Sequence, residues 1–251
     1  MRGRAPAWLV ADRTPLATVA VLAAFGCARF LTTDRQVLVS IVQQPTIGAA
    51  YLDLVPSTLA GGLFVPLYAF GVANVQAGAL APQSLARMKS RRRAIARLTR
   101  LTVQWALVFA ICTAVPSVTL LACAPVEPAL DTGTVADFLA VQIAYQSTFF
   151  AAVGAIMAMV GQLGGSPGLA MVAAFAYGML DPLLSSLPAS HQGALWMGWN
   201  SLAWASPEDP VMAAAGLARL VCVAAILWVI DLRVFRRADF LGAGGRRDAS
   251  S

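Results

Sequence analysis

The chain has 251 residues, of which 59% are hydrophobic and only 12% charged, with a formal net charge of +6. A soluble domain of ordinary make-up carries about twice that charged fraction, and here the charges lie in clusters between long apolar runs, the pattern of a polytopic membrane protein. No stretch between the runs is long enough for a second, soluble domain, so residues 1–251 read as one all-α transmembrane unit. The cations sit beside the apolar runs, so topology accounts for them and nucleic-acid binding is set aside.

In chain order, Arg2, Arg4 and Arg13 precede a first apolar run. Phe25 is bulky where a cleavage site before Gly26-Cys27 needs a small residue, so 15–31 is expected to be a retained first span with Arg29 near its outer end. Further spans are predicted at about 55–80, 101–123, 138–162, 167–180 and 211–230, six in all. Pro56, Pro66 and Pro116 are candidates for kinks in spans two and three. Small residues at i and i+4 in span four (Ala151/Ala155, Gly154/Ala158) allow close helix packing. Gly161, Gly164, Gly165 and Gly168 with Pro167 predict a tight hairpin between spans four and five.

The connection between spans two and three is the most informative. From Gln83 to Arg100 it holds Arg87, Lys89, Arg91, Arg92, Arg93, Arg97 and Arg100 and no acid, while 54–86 outside this stretch and 101–126 hold no charge at all. Leu85, Met88, Ile95 and Leu98 recur there at roughly helical spacing, which predicts an amphipathic helix at the membrane surface over 83–100. The remaining connections alternate in sign. Asp34, Arg35 and Asp53 follow span one, Glu127, Asp131 and Asp137 follow span three, and Asp181, Glu208 and Asp209 follow span five. The tail after span six holds Arg233, Arg236, Arg237, Arg246 and Arg247 against three acids. Cations on alternate sides place both termini in the cytoplasm. On the outside, 183–210 carries Leu195, Trp196, Trp199, Leu202 and Trp204, and is expected to be a re-entrant helix pair dipping into the outer leaflet.

Residues that carry chemistry are scarce. The four cysteines form no CxxC pair and His191 is the only histidine, so no zinc set is expected. There is no HExxH and no pair of acids within a span; Asp53, Asp137, Asp181 and Asp231 lie at span ends and read as boundary markers. The pattern GxxxxGK[ST] is absent. No catalytic, cofactor or metal residue is assigned, and the chain is not expected to be an enzyme. Arg219 lies near the middle of span six, where it either pairs with Gln142 or Gln146 or borders a translocation route.

Two short segments carry a family resemblance. Asn74-Val75-Gln76-Ala77-Gly78-Ala79-Leu80 is followed by Met88-Lys89-Ser90-Arg91 at the entry to span three, and Val234-Phe235-Arg236-Arg237-Ala238-Asp239-Phe240-Leu241 follows span six. With the six spans, cytoplasmic termini, surface helix and outer hairpin, they resemble the permease subunits of ABC-2 type ABC transporters. In that family the motif is Glu-x-x-x-Gly-Thr-Leu, then a Pro-x-Ser-Arg-like stretch; Asn74 stands here in place of Glu, and Lys89 where Pro is common. The resemblance implies a bacterial inner-membrane protein that pairs with a second permease, the same or homologous. Separate ATP-binding subunits, which hold the ATP-Mg, would dock on a coupling helix within 83–100. Arg87, Lys89, Arg91, Arg92, Arg93 and Arg97 would then meet the ATPase, membrane lipid, or both. A path lined by spans one, two and five would export a hydrophobic or amphipathic molecule. The length matches permeases of peptide-antibiotic (lantibiotic) self-protection. Rival readings are a secondary carrier, which predicts intramembrane acids or repeat symmetry, and a non-transporting scaffold or immunity protein, which functions without an ATPase.

Overall fold

The structure, a computed structural model, describes residues 17–22, 24–25, 47–55, 59–80, 91–122, 132–163, 166–185 and 210–237. No strand occurs among them. Helices α1 (Ile47–Leu54), α2 (Val65–Leu80), α3 (Arg91–Ala122), α4 (Thr132–Gln162), α5 (Pro167–Ser185) and α6 (Pro210–Arg237) follow one another, with a helical segment at 17–22 before them and a π-helical turn, Ala60–Phe64, leading into α2. Four stretches are long and apolar enough to cross a bilayer: Gly61–Leu80, Arg93–Ala122, Gly133–Gln162 and Ala213–Phe235. A fifth, Pro167–Leu180, is apolar but shorter.

Helix α4 is the hub, packing against α3, α6, α5 and α2. Its inner face is aromatic and small by turns. Phe150 lies 4.8 Å from the ring of Tyr68 and 4.7 Å from that of Phe109, and Phe149 stacks on Tyr177 at 5.4 Å. Gly154 sits where a methyl group would overlap Thr102 Cγ2 of α3, so the absence of a side chain sets how closely α3 and α4 approach. Gly71 does the same for α2, since a Cβ there would come within 2.6 Å of the Trp105 indole.

Paired contacts fix the helix directions. Tyr68 meets Phe150 and Gln76 meets Gly154, so α2 runs parallel to α4. Tyr145 meets Ala213 and Gln162 meets Asp231, so α6 is parallel as well. Thr113 meets Gln146 while Thr102 lies at Gly154, so α3 is antiparallel. These directions gather the start of α3 and the ends of α2, α4 and α6 at one end of the bundle. There Ala94, Ile95 and Phe235 form a small core with Leu80 and Leu232. Arg93, Arg97, Arg100 and Arg233 are exposed at this end, and exposed Asp137 lies at the other. Among the described residues, every exposed arginine but Arg219 is therefore gathered at one end.

The surface helix expected over 83–100 is not a separate element in its second half. Residues 91–100 are the first turns of α3 and continue into the span without a break. The reason is a single buried stripe: Ile95 and Leu98 lead without interruption into Thr102, Trp105, Ala106 and Phe109, and neither Gly nor Pro falls at the junction. At 32 residues α3 is about 48 Å long, well beyond the ~30 Å hydrocarbon thickness, so its arginine turns reach past an apolar span while Ile95 and Leu98 stay packed on the ends of α2, α4 and α6. Other boundaries move outward too: span four starts at Thr132 and span six ends at Arg237, whereas the predicted start of span two breaks into α1 and the π turn. The N-terminal tail, most of span one, residues 81–90, the outer stretch 186–209 and the tail after 237 lie outside the described residues.

Candidate functional site

Three polar contacts cross the buried interior at different heights. At the end away from the arginines, Gln146 of α4 bridges two helices. Its Nε2 donates to Tyr51 Oη of α1 at 2.8 Å, and its Oε1 accepts from Thr113 Oγ1 of α3 at 2.8 Å. All three side chains are buried, and Gln142, one turn along α4, is buried with them. In the middle, Gln76 Nε2 donates to the Gly154 carbonyl at 2.8 Å and lies 3.4 Å from Thr102 Oγ1. At the arginine end, Gln162 Nε2 donates to Asp231 Oδ1 at 3.0 Å. Asp231 Oδ2 and Tyr68 Oη are buried without a hydrogen-bond partner among the described residues. Successive positions 146, 154 and 162 on α4 are about 12 Å apart along the axis. Tyr68, Phe109 and Phe150 pack ring against ring between the first two levels.

A crevice of about 430 Å³ opens beside the Gln146 level. Leu22, Leu54, Leu59, Phe64, Pro116 and Leu120 line it, and Thr113 and Ser117 supply its hydroxyls. Its walls are places where regular helix fails. Helix α1 ends at Leu54, the π turn ends at Phe64, and Pro116 interrupts the hydrogen-bond ladder of α3. Ser117 Oγ donates to the Thr113 carbonyl at 3.0 Å, so the hydroxyl pair is tied to the backbone next to the proline. An apolar slot with two hydroxyls and the Cys112 thiol in its wall is suited to binding by shape.

The residues singled out from sequence fall in separate places. Arg87 and Lys89 lie outside the described residues. Arg91 and Arg92 are the first two positions of α3; Arg93, next in the same turn, and Arg97, about a turn further on, are exposed. Arg93 and Arg97 are not among the residues lining the crevice. Arg219 does not pair with Gln142 or Gln146, which corrects one of the two expectations for it. Helix α6 buries the stripe Ala213, Gly216, Leu220, Ala224, Asp231 and Phe235, and Arg219 projects from outside that stripe, exposed. Gln146 has taken Tyr51 and Thr113 instead. Asp231, read as a boundary marker, is fully buried. Sequence reasoning missed Tyr51 and Thr113 as members of the network; the only signal was polar residues inside apolar runs, which names candidates without pairing them. Among the described residues no three His, Cys, Asp or Glu side chains come together as a metal site.

The elements described so far are those of an all-helical protein whose main helices are long and apolar enough to span a membrane. Comparison with family models, curated proteins and solved structures returns no match to this chain.

Proposed function

We propose that this chain is the membrane-spanning subunit of an ATP-driven transporter of the ABC-2 permease kind. It would export a hydrophobic or amphipathic molecule and draw ATP hydrolysis, with its Mg, from a separate subunit. The observation that carries the reading is the arginine end of the bundle: Arg93, Arg97 and Arg100 are exposed on the first turns of α3, where a soluble motor has access, while Ile95 and Leu98 anchor those turns to α2, α4 and α6. The positive-inside rule makes this end cytoplasmic, with α5 as a fifth span, 15–31 as a first, and both termini on the same side. The crevice at Thr113 and Ser117 then lies in the outer half of the membrane, suited to an apolar chain. The resemblance at 74–80 and 88–91 supports the same assignment. A second permease, identical or homologous, completes the path, and the setting is a bacterial inner membrane.

The test is gentle purification of the tagged protein with its genomic neighbours expressed, followed by identification of partners and an ATP hydrolysis assay. An ATPase is expected to co-purify and to be lost from the triple variant Arg91→Glu, Arg92→Glu, Arg93→Glu. Acids in the first turn of a helix are favoured by its dipole, so α3 itself survives the change. Recovery of a folded protein alone, repeatedly, sinks the proposal. One observation favours a secondary carrier: Asp231 is a buried carboxylate shared by α4 and α6 through Gln162. Transport driven by a proton gradient without ATP, and lost in Asp231→Asn, would establish that reading.

A further inference from the structure

A second concavity lies at the arginine end, between α3 and α6. Ile95, Ala96, Thr99, Arg100, Val103 and Gln104 form one face of α3 there, and Leu232 of α6 closes the other side. Its volume is about 560 Å³, within the range of small-ligand sites. It has a charged level and an apolar exit. Arg100 is exposed in its wall, and exposed Arg97 and Arg233 flank it. Asp231 is the one described carboxylate at this end, and it is buried against Gln162. From Val103 the exposed apolar residues continue as Leu107 and Ile111, at 45% and 41% exposure, one turn apart on the same face and about 12 Å in all from Val103. That stripe leads away from the arginines towards the middle of the span. A soluble acidic protein can meet Arg100 but cannot follow the stripe into hydrocarbon. A lipid does both.

We propose that the groove between α3 and α6 holds one anionic phospholipid of the surrounding membrane, its phosphate on Arg100 and an acyl chain along Val103, Leu107 and Ile111. Thr99 and Gln104 lie beside Arg100 in the groove wall and supply neutral hydrogen-bonding groups to the headgroup. The site depends on the helices being embedded in a bilayer and not on the transporter reading, so either stands if the other fails. Because the groove is walled by the first turns of α3 and the end of α6, a lipid in it ties the arginine turns to the membrane surface.

The test is native mass spectrometry of the full-length protein released from detergent. It is incubated with phosphatidylglycerol or phosphatidylcholine of matched acyl chains. Phosphatidylglycerol is expected to remain as a single resolved adduct and phosphatidylcholine to dissociate. Arg100→Gln is expected to weaken retention about ten-fold, the scale of one charge-assisted hydrogen bond. Arg97→Gln removes the same charge from outside the groove lining and is expected to change retention less than two-fold. Val103→Trp fills the groove without touching charge and is expected to abolish the adduct. Millimolar inorganic phosphate is expected not to compete. Equal retention of the two lipids, equal effects of Arg97→Gln and Arg100→Gln, displacement by free phosphate, or a co-purifying soluble protein that shields Arg100 in place of lipid each overturns the proposal.

Discussion

Substituting Gly154 by Ala tests the packing of the hub directly. The added methyl overlaps Thr102 Cγ2 and comes within 2.9 Å of Tyr68 Oη, while the Gly154 carbonyl is held by Gln76. The neighbours cannot yield easily: Thr102 and Tyr68 are fully buried, and the Tyr68 ring is locked against Phe109 and Phe150. Helices α3 and α4 must therefore separate, at the cost of overpacking, about 1–3 kcal/mol. For a chain of this length that corresponds to a fall of roughly 3–10 °C in apparent Tm. The assay is thermal unfolding in detergent followed by size exclusion. Thr102→Ser deletes the methyl that clashes, so Gly154→Ala should cost less than half as much in that background, the double-mutant cycle isolating the contact. Gly161→Ala is the control: nothing lies within 4 Å of its added Cβ, and helix propensity alone should leave stability unchanged or raised by up to about 1 kcal/mol. An unchanged Tm for Gly154→Ala, or a cost that persists in full with Ser at position 102, refutes the account of how α3 and α4 approach.

Three further outcomes follow from the buried polar contacts and from α6. Gln146→Leu removes the bridge between α1 and α3 while Thr113 Oγ1 keeps the Phe109 and Ala110 carbonyls and Tyr51 keeps Gln142, so it should cost about 0.5–1.5 kcal/mol, with part recovered when Tyr51→Phe is added; full additivity in unfolding measurements would show that the bridge does not couple the helices. Gly216→Ala should lower Tm because its methyl overlaps Tyr145 Oη, which donates to the Ala213 carbonyl at 2.7 Å, and Tyr145→Phe should restore most of the loss; a Gly216→Ala protein as stable as the parent removes this contact from the account. Arg219→Leu takes a cation off an exposed, apolar helix face and should leave the isolated protein's Tm unchanged or higher, since an arginine at mid-span opposes insertion by about 2.5–3.5 kcal/mol; a lower Tm would mean that Arg219 has a stabilising partner.

Hydropathy was enough to locate the four helices long and apolar enough to span a bilayer and the shorter apolar helix α5, because the bilayer imposes a length that a run of single residues reports. The continuity of α3 through Arg100 was not legible. Cations at the start of an apolar run suggest a surface segment, whereas the decisive fact is tertiary: Ile95 packs against Phe235, more than a hundred residues away in sequence. The crevice was legible only as its parts. Pro116 was visible, but the π turn at Ala60–Phe64 has no sequence rule as firm as that for proline, and the partners of Thr113 and Gln146 depend on the register of three helices. Arg219 misled for the same reason, since a span position gives depth but not azimuth, and azimuth is set by which stripe of α6 meets α4.

The length of α3 has a mechanical consequence. Its tightest crossings lie near Thr102 and Trp105, against Gly154 and Gly71. Taken as a fulcrum at Trp105, the helix has one arm of about 12 Å to Arg97 and another of about 18 Å to Ser117. A sideways displacement of about 2 Å at the arginine turns, carrying along the ends of α2, α4 and α6 that Ile95 and Leu98 touch, would swing the hydroxyl wall of the crevice about 3 Å the opposite way, as a seesaw does, provided α3 stays rigid through Pro116 to Ser117. The glycines that bring the helices together would then also set the gearing between a load applied at one face of the membrane and a slot near the other.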